Sequence, residues 1–277
     1  GNNLPAEALM ADEIDCLLLN HLPWINNFNE QNGSELTMVK GFTYASLFGI
    51  YSAKHDSVED IPENGTIIVS NDPANMHRSL LFMQKLGLMK LGEQSGDYYT
   101  VLDITENPKN LQIVEVETTN TAGSFQDADA SISFSSVMRN AGIDAHSYLA
   151  EDGEYVNYPT GFFVNKGDEE SAWAKALIEV TNTEDFQKKF DEIFQGARMD
   201  SHDHGGLFIG GFIDGILGCG FERRVELFPR DIASEGAICV KNREKKISAH
   251  LCGAGCTILR AFLKGREAGQ LQYSIVN

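Results

Sequence analysis

IPENGTIIVSNDPANMHRSLLFMQKLGLMKL, residues 61–91, followed after a polar gap by DITENPKNLQIVEVE, residues 103–117, is the stretch whose reading decides the fold. Thr66 to Val69 is a short β-branched run. Gly65 precedes it and Ser70-Asn71-Asp72-Pro73 follows it, which marks a buried strand ending in a turn. A helix follows at once over the amphipathic segment Asn75 to Leu86 and closes at Gly87. Leu111 to Glu117 alternates apolar and polar residues and predicts the next strand. Arg78 falls one turn into the helix. A helix N-terminus offers N–H groups and the positive end of the macrodipole. Arginine adds a planar fork that holds a carboxylate by two hydrogen bonds. The stretch therefore predicts an α/β unit carrying a site for a small carboxylate ligand.

Outward from this stretch, strands and helices keep alternating, which predicts α/β architecture with largely parallel sheets. On the N-terminal side lie a helix at Leu4 to Ala11, a buried strand at Ile14 to Leu19 and a short helix at Pro23 to Asn29. Extended segments follow at Glu35 to Val39 and Phe42 to Tyr51. On the C-terminal side come a strand at Ala130 to Phe134, a helix at Ser135 to Ala141 and a strand at Tyr158 to Val164. Helices follow at Glu169 to Val180 and Thr183 to Phe194, the second capped by Thr183. Residues 196–236 are glycine-rich and carry His202 and His204. Regular patterning resumes as a β-α-β unit: strand Lys246 to Leu251, helix Cys256 to Arg266, strand Leu271 to Val276.

The 277 residues carry 22 Lys plus Arg against 40 Asp plus Glu, a formal charge of -18, with 42% hydrophobic residues. That hydrophobic share supports a packed core. The acidity works against nucleic acid and against anionic membrane surfaces. The longest apolar stretch, Gly205 to Phe221, is broken by glycines and Asp214 and predicts no membrane span. No basic segment leading into an apolar run opens the chain, so no signal peptide is expected within it. Five cysteines (Cys16, Cys219, Cys239, Cys252 and Cys256) are too few and too irregular for a disulfide framework. Cys16, inside IDCLLL, reads as a small core residue.

Four segments extend the reading: LPAEALMADEIDCLLLNHLPWINNFN (4–29), FGIYSAKHDSVEDIPENGTIIVSNDPANMHRSLLFMQKLGLMKL (48–91), DITENPKNLQIVEVE and EYVNYPTGFFV (154–164). With them, the chain from Asn2 to about Ala197 resembles the NlpA lipoprotein family, methionine-type substrate-binding proteins of ABC importers. The resemblance implies a two-lobed periplasmic-binding-protein type II (venus flytrap) fold with two crossovers. Lobe one would take residues 1–54 and 154–277, and lobe two residues 55–153. Family members open with a β-α-β unit that this chain lacks at its start. Residues 247–277 look like that unit, so a circularly permuted order is expected, the alternative being an unrelated appended unit.

The resemblance also implies site residues. Arg78 matches the arginine that takes the ligand carboxylate. His21 and Trp24 match a pocket histidine and aromatic, and Asn157 matches an asparagine that contacts the amino-acid head group. Tyr155 would wall the cleft. Asn71 and Asn75 either offer amides or serve turn and cap chemistry. The pattern departs at Leu19-Asn20, where the family has Phe-Gln, and at Asn2, where it has Tyr. It departs again at Ser133 to Ser136, where Phe134 replaces a ligand-contacting asparagine. Losing an amide that meets a buried charged group is costly, so a carboxylate ligand is expected but methionine specificity is not assured. The implied protein is not an enzyme and needs no cofactor or metal. It would partner an ABC permease and act outside the cytoplasm, lipid-anchored in its precursor. Two rival readings remain: a ligand-sensing or scaffold protein with a diverged cleft, and a thiol- or metal-dependent enzyme using Cys252, Cys256 and His250. The C-x3-C spacing reads better as a plain loop, because two thiols and a histidine lack a fourth ligand. His202 and His204 stand in the same position.

Overall fold

The computed structural model describes residues 3–123, 125–193, 198–200, 238–243, 246–251, 266–267 and 270–271. The chain begins with α1 (Asn3–Met10), β1 (Cys16–Leu18), α2 (Leu22–Asn32) and β2 (Leu36–Ala45). It continues with β3 (Phe48–Tyr51), β4 (Thr66–Ser70), α3 (Pro73–Lys85), β5 (Lys90–Leu91), β6 (Ile104–Glu106) and β7 (Gln112–Val116). Then come β8 (Ala130–Phe134), α4 (Ser135–Asn140), β9 (Tyr148–Glu151), β10 (Thr160–Asn165), α5 (Ala172–Thr181) and α6 (Glu184–Ile193). Five strands complete the order: β11 (Arg198–Asp200), β12 (Ile238–Arg243), β13 (Lys246–Leu251), β14 (Arg266–Glu267) and β15 (Gln270–Leu271).

Two units divide these elements. The first takes Gly1–Ala45 and Tyr158–Ile193 with later strands, and the second takes Ser46–Asn157. Residues 46–54, read from sequence as part of lobe one, lie with the second unit because β3 pairs with both β8 and β9. The chain returns to the first unit after Asn157 rather than near residue 154.

The first unit's sheet has the order β11-β2-β10-β1-β12-β13. The pairs β1–β10, β1–β12, β10–β2 and β12–β13 are all antiparallel, so the expectation of largely parallel sheets is corrected here. The reason is topological: β10, returning from the second unit, inserts between β1 and β2 and runs against both. Helix α2 starts where His21 accepts the Trp24 N–H through Nδ1 at 3.2 Å. It stops at Gly33, whose φ of 63° is the left-handed cap that glycine adopts without strain. Phe42 lies against Phe162, Phe186 and Phe190, all buried. This aromatic cluster fastens α6 to the sheet. Thr183 caps α6 as expected, accepting the Phe186 N–H.

Strand Lys246–Leu251 appears where the sequence placed it. It lies in the sheet that holds Cys16–Leu18, with β12 between them. The expected last strand differs: Leu271 pairs with Arg266 in a separate two-stranded sheet, and Arg266 is in a strand rather than at a helix end. Glu267 pairs with Gln270. The expected helix from Cys256, the chain end, Asn2, Cys219, His202 and His204 lie outside the described residues, as do Cys252 and the remainder of residues 201–237.

The second unit's sheet has the order β7-β4-β8-β3-β9. Here β4 sits between parallel partners β7 and β8, and β3 runs antiparallel to β8 and β9. The core joins Phe48, Ile50, Ile67 and Val69 from the strands to Met76, Leu80 and Met83 from α3. The 3.6-residue period of α3 brings the last three to one face. Gly87, with φ of 74°, follows the end of α3 as its position predicted.

Candidate functional site

Sheet direction decides which residues of the second unit share an edge. The carboxyl ends of β4, β7 and β8 lie together because the three are parallel. The amino end of β3 joins them, since Phe48 is paired with Phe134, and the end of β9 follows, since Glu151 is paired with Gly49. Carboxyl edges of parallel strands are where α/β proteins place ligands. This edge gathers Phe48, Asp72, Phe134 and Asp152, and α3 brings Arg78 to it.

Asp72 is the N-cap of α3, and its Oδ1 accepts the Asn75 N–H at 2.9 Å. Its Oδ2 accepts the Asn75 amide. The helix N-terminus is thus already met by a carboxylate of the chain itself. The sequence reading of that N-terminus as an open anion site is corrected accordingly. Burial pushes the Asp72 carboxyl above its usual range, and hydrogen bonds from Asn75 oppose the shift. Ser70 Oγ lies 2.7 Å from Thr118 Oγ1, and both reach Asp72 Oδ2 at 3.4 Å. Asn75 is buried, and its carbonyl accepts from Ser79. These contacts are the turn and cap chemistry left open from sequence. Asn71 is exposed, with its N–H bonded to the Val116 carbonyl across the strand ends.

Arg78 is among the largest fully buried side chains, at 2% exposure. Its Nε donates to Asp152 Oδ2 at 2.6 Å. Its guanidinium carbon lies 4.4 Å from the Phe48 ring centre and 5.7 Å from that of Phe134, within the reach of cation–π attraction. The two rings are 4.8 Å apart. Phe134 therefore lies beside the arginine, packed against Phe48. Asp152 is held in turn: its Oδ1 accepts the Glu154 N–H at 3.2 Å, and its carbonyl accepts from Lys85 Nζ at 2.6 Å. Lys85 also pairs with Glu154, and Asn157 donates to Glu154 Oε2 at 2.7 Å. Lys85 first, then Asn157, hold the Glu154 carboxyl below its usual range. Tyr155 donates to Glu151 Oε2 at 2.6 Å and is half-buried, while Asn157 is exposed.

The expected residues thus fall in two groups. Arg78, Phe134 and Asn157 belong to one network of the second unit, Tyr155 lies two residues before Asn157 in the same unit, and Asn75 is one turn from Arg78 on α3. His21 and Trp24 belong to the first unit. His21 is buried, caps α2 and meets Tyr158 edge-on with ring centres 5.2 Å apart. Trp24 is buried and stacks on Phe28. Asp152 was missed by sequence reasoning. Its signal was an acid directly before Gly153, whose φ is 70°, two residues upstream of the EYVN motif, but its partner lies 74 positions away.

Solved structures share this architecture. One is a nutrient binding protein from Burkholderia cenocepacia bound to methionine, at TM-score 0.67 and 28% identity, over 71% of this chain and 83% of that one. Another is the substrate binding protein of a methionine transporter from Streptococcus pneumoniae, at TM-score 0.65 and 32% identity, over 71% and 80%. The fold class is that of the periplasmic substrate-binding proteins, a mixed α/β chain in two units crossed twice. The D-methionine-binding lipoprotein MetQ of Escherichia coli (strain K12) is 32% identical over 201 residues, 71% of this chain and 73% of the relative. The NlpA lipoprotein family model matches residues 2–201, and the chain belongs to that family. The family and these neighbours are binding proteins of ABC transporters rather than enzymes, which sets aside the thiol- or metal-dependent enzyme reading.

Proposed function

We propose that this chain is the solute-binding protein of an ABC importer, taking methionine or another small amino-acid-like carboxylate. Its partner would be the transporter permease. The observation that carries the site is Arg78: a guanidinium at 2% exposure, beside two aromatic rings, at the carboxyl edge of the second unit's sheet. Such a group holds a carboxylate strongly because water does not compete. Asn157 and Tyr155, on the segment leading out of the unit, would orient the head group. His21 and Trp24 would contribute from the first unit, with Asn75 and Asn71 in supporting roles and Phe134 as a wall. Methionine as ligand is supported by the relatives' names and by the methionine-bound neighbour. An extracytoplasmic location with a lipid anchor on the precursor is supported by the lipoprotein designation of family and relatives. Strand β13 would complete the first unit's sheet, supported by its place beyond β12.

The test is thermal melting against a panel of amino acids and related carboxylates. A ligand at one hundred times its Kd stabilises by about 2.7 kcal/mol. A clear rise in Tm is expected for at least one amino acid, absent in Arg78→Ala. No ligand-induced rise in the Tm of wild type anywhere in the panel would instead favour a scaffold protein with a diverged cleft.

A further inference from the structure

Four hydrogen bonds tie Glu154 in place on the segment that leads out of the second unit. Its N–H donates to Asp152 Oδ1 at 3.2 Å. Its carbonyl accepts the Asn157 N–H at 3.3 Å. The two carboxylate oxygens take different donors: Oε1 accepts from Lys85 Nζ at 3.1 Å, and Oε2 from the Asn157 amide at 2.7 Å. One donor on each oxygen fixes the plane of the carboxylate as well as its reach. Lys85 stands in the last turn of α3 and holds the Asp152 carbonyl too. Asp152 in turn accepts from Arg78 Nε. A continuous polar chain thus runs from Arg78 through Asp152 and Glu154 to Asn157, fastened to α3 by Arg78 and Lys85.

An asparagine amide has a donor end and an acceptor end, and a half-turn exchanges them. The Glu154 carboxyl is held below its usual range, first by Lys85 and then by Asn157. It is therefore ionised at neutral pH and can only accept. The amide end that faces it is Nδ2, so Oδ1 is the end turned elsewhere. Asn157 is exposed, and without this partner its side chain would sample several rotamers and both flips. We infer that Glu154 is a positioning residue of the solute site: by binding Nδ2 it holds Asn157 in one rotamer and one flip, with Oδ1 presented as an acceptor to a donor group of the solute. The inference rests on Asn157 as a head-group contact. Glu154 acts through Asn157 and needs no contact with the solute. The ordering of Asn157 is complete before the solute arrives, which lowers the entropy cost of binding. The Glu154 and Lys85 side chains are 42% and 55% exposed, and contacts open to water are modest in strength, so the effect is a few-fold one.

The experiment is a double-mutant cycle read by calorimetric titration of the full chain with methionine. Wild type, Glu154→Ala, Asn157→Ala and the double variant are compared, each first shown to melt cooperatively. Glu154→Ala is expected to weaken binding about three- to tenfold, the scale of one hydrogen bond. Asn157→Ala should weaken it at least as much. In the Asn157→Ala background the further change Glu154→Ala should move the Kd by less than about twofold, because the group it positions is gone. Glu154→Gln keeps an acceptor for Nδ2 and should stay closer to wild type than Glu154→Ala. A merely structural role predicts that Glu154→Ala costs the same factor with and without Asn157, and that result overturns the inference. So does a Glu154→Ala variant that binds as wild type does, or a Glu154→Gln variant as weak as Glu154→Ala, which would place the effect in the charge rather than in the acceptor. Wild-type affinity in Asn157→Ala removes Asn157 from the site and the inference with it, and is distinct from an additive cycle, which removes the inference alone.

Discussion

At the residue scale the buried pair sets the sharpest expectations. Arg78→Ala leaves Asp152 as a buried carboxylate without its cation, and such a loss costs roughly 3–5 kcal/mol. Replacing both partners by apolar residues of similar volume is often close to neutral. Urea unfolding should therefore show a large drop in midpoint for Arg78→Ala and recovery of most of it in Arg78→Met/Asp152→Leu, with ligand binding lost in both. No recovery in the double variant would mean that the pair's stabilisation is more than mutual neutralisation. Asp129 gives a pH expectation. It accepts the Thr66 N–H at 2.8 Å and lies 3.2 Å from His55 Nε2, and the Thr66 hydrogen bond is the main cause that holds its carboxyl below the usual aspartate value. A folded value below the unfolded one means stability that is complete above the ordinary aspartate range and lost as pH falls through the depressed value. Asp129→Asn should flatten the acid limb of stability against pH; an unchanged slope would count against it. Arg78 was legible in the sequence because its turn and helix are local. Asp152 was not, because its place before Gly153 does not say what it pairs with, and its partner lies 74 positions away.

Among the elements, α3 shows where local reading succeeds and where it stops. Its start, its apolar period and its glycine end are all short-range properties, and the helix lies within two residues of where they put it. What the spacing could not show is that Asp72 turns inward and meets the helix N-terminus itself. That contact makes a prediction. Asp72→Ala removes the cap and should cost about 1 kcal/mol. Asp72→Asn keeps an oxygen acceptor and discards a charge that burial disfavours, so it should cost less than Asp72→Ala. Chemical denaturation of the two variants checks the order, and a larger loss in Asp72→Asn would show that the negative charge, not the acceptor, holds the turn. Strand direction was the element-level failure. Alternation of strands and helices implies parallel pairing only when each crossover stays within one sheet. Here the chain leaves the first unit after Ala45 and returns at Tyr158, so β10 comes back against its neighbours.

For the whole molecule, the family resemblance identified the fold because its motifs span both units, from LPAEAL to EYVNYPTGFFV. Composition alone would have stopped at an acidic α/β protein. That acidity has a measurable consequence. A formal charge of -18 opposes compaction through self-repulsion. Opposing it are, among others, four exposed lysine ion pairs: Lys85–Glu154, Lys90–Glu106, Lys166–Glu35 and Lys175–Glu170. All four are well exposed, and such pairs contribute about 0–1 kcal/mol each at most. Salt weakens both effects, since the Debye length falls from about 30 Å at 0.01 M to about 8 Å at 0.15 M. The repulsion acts over many unmatched carboxylates at long range, while the exposed pairs act at contact. Screening should therefore relieve more than it removes, and Tm should rise between those two salt concentrations in the absence of ligand. The buried Arg78–Asp152 pair is shielded from salt by the rings around it and should contribute equally at both. A Tm that falls with added salt would show that the surface pairs, and not the net charge, dominate the electrostatics of the folded chain.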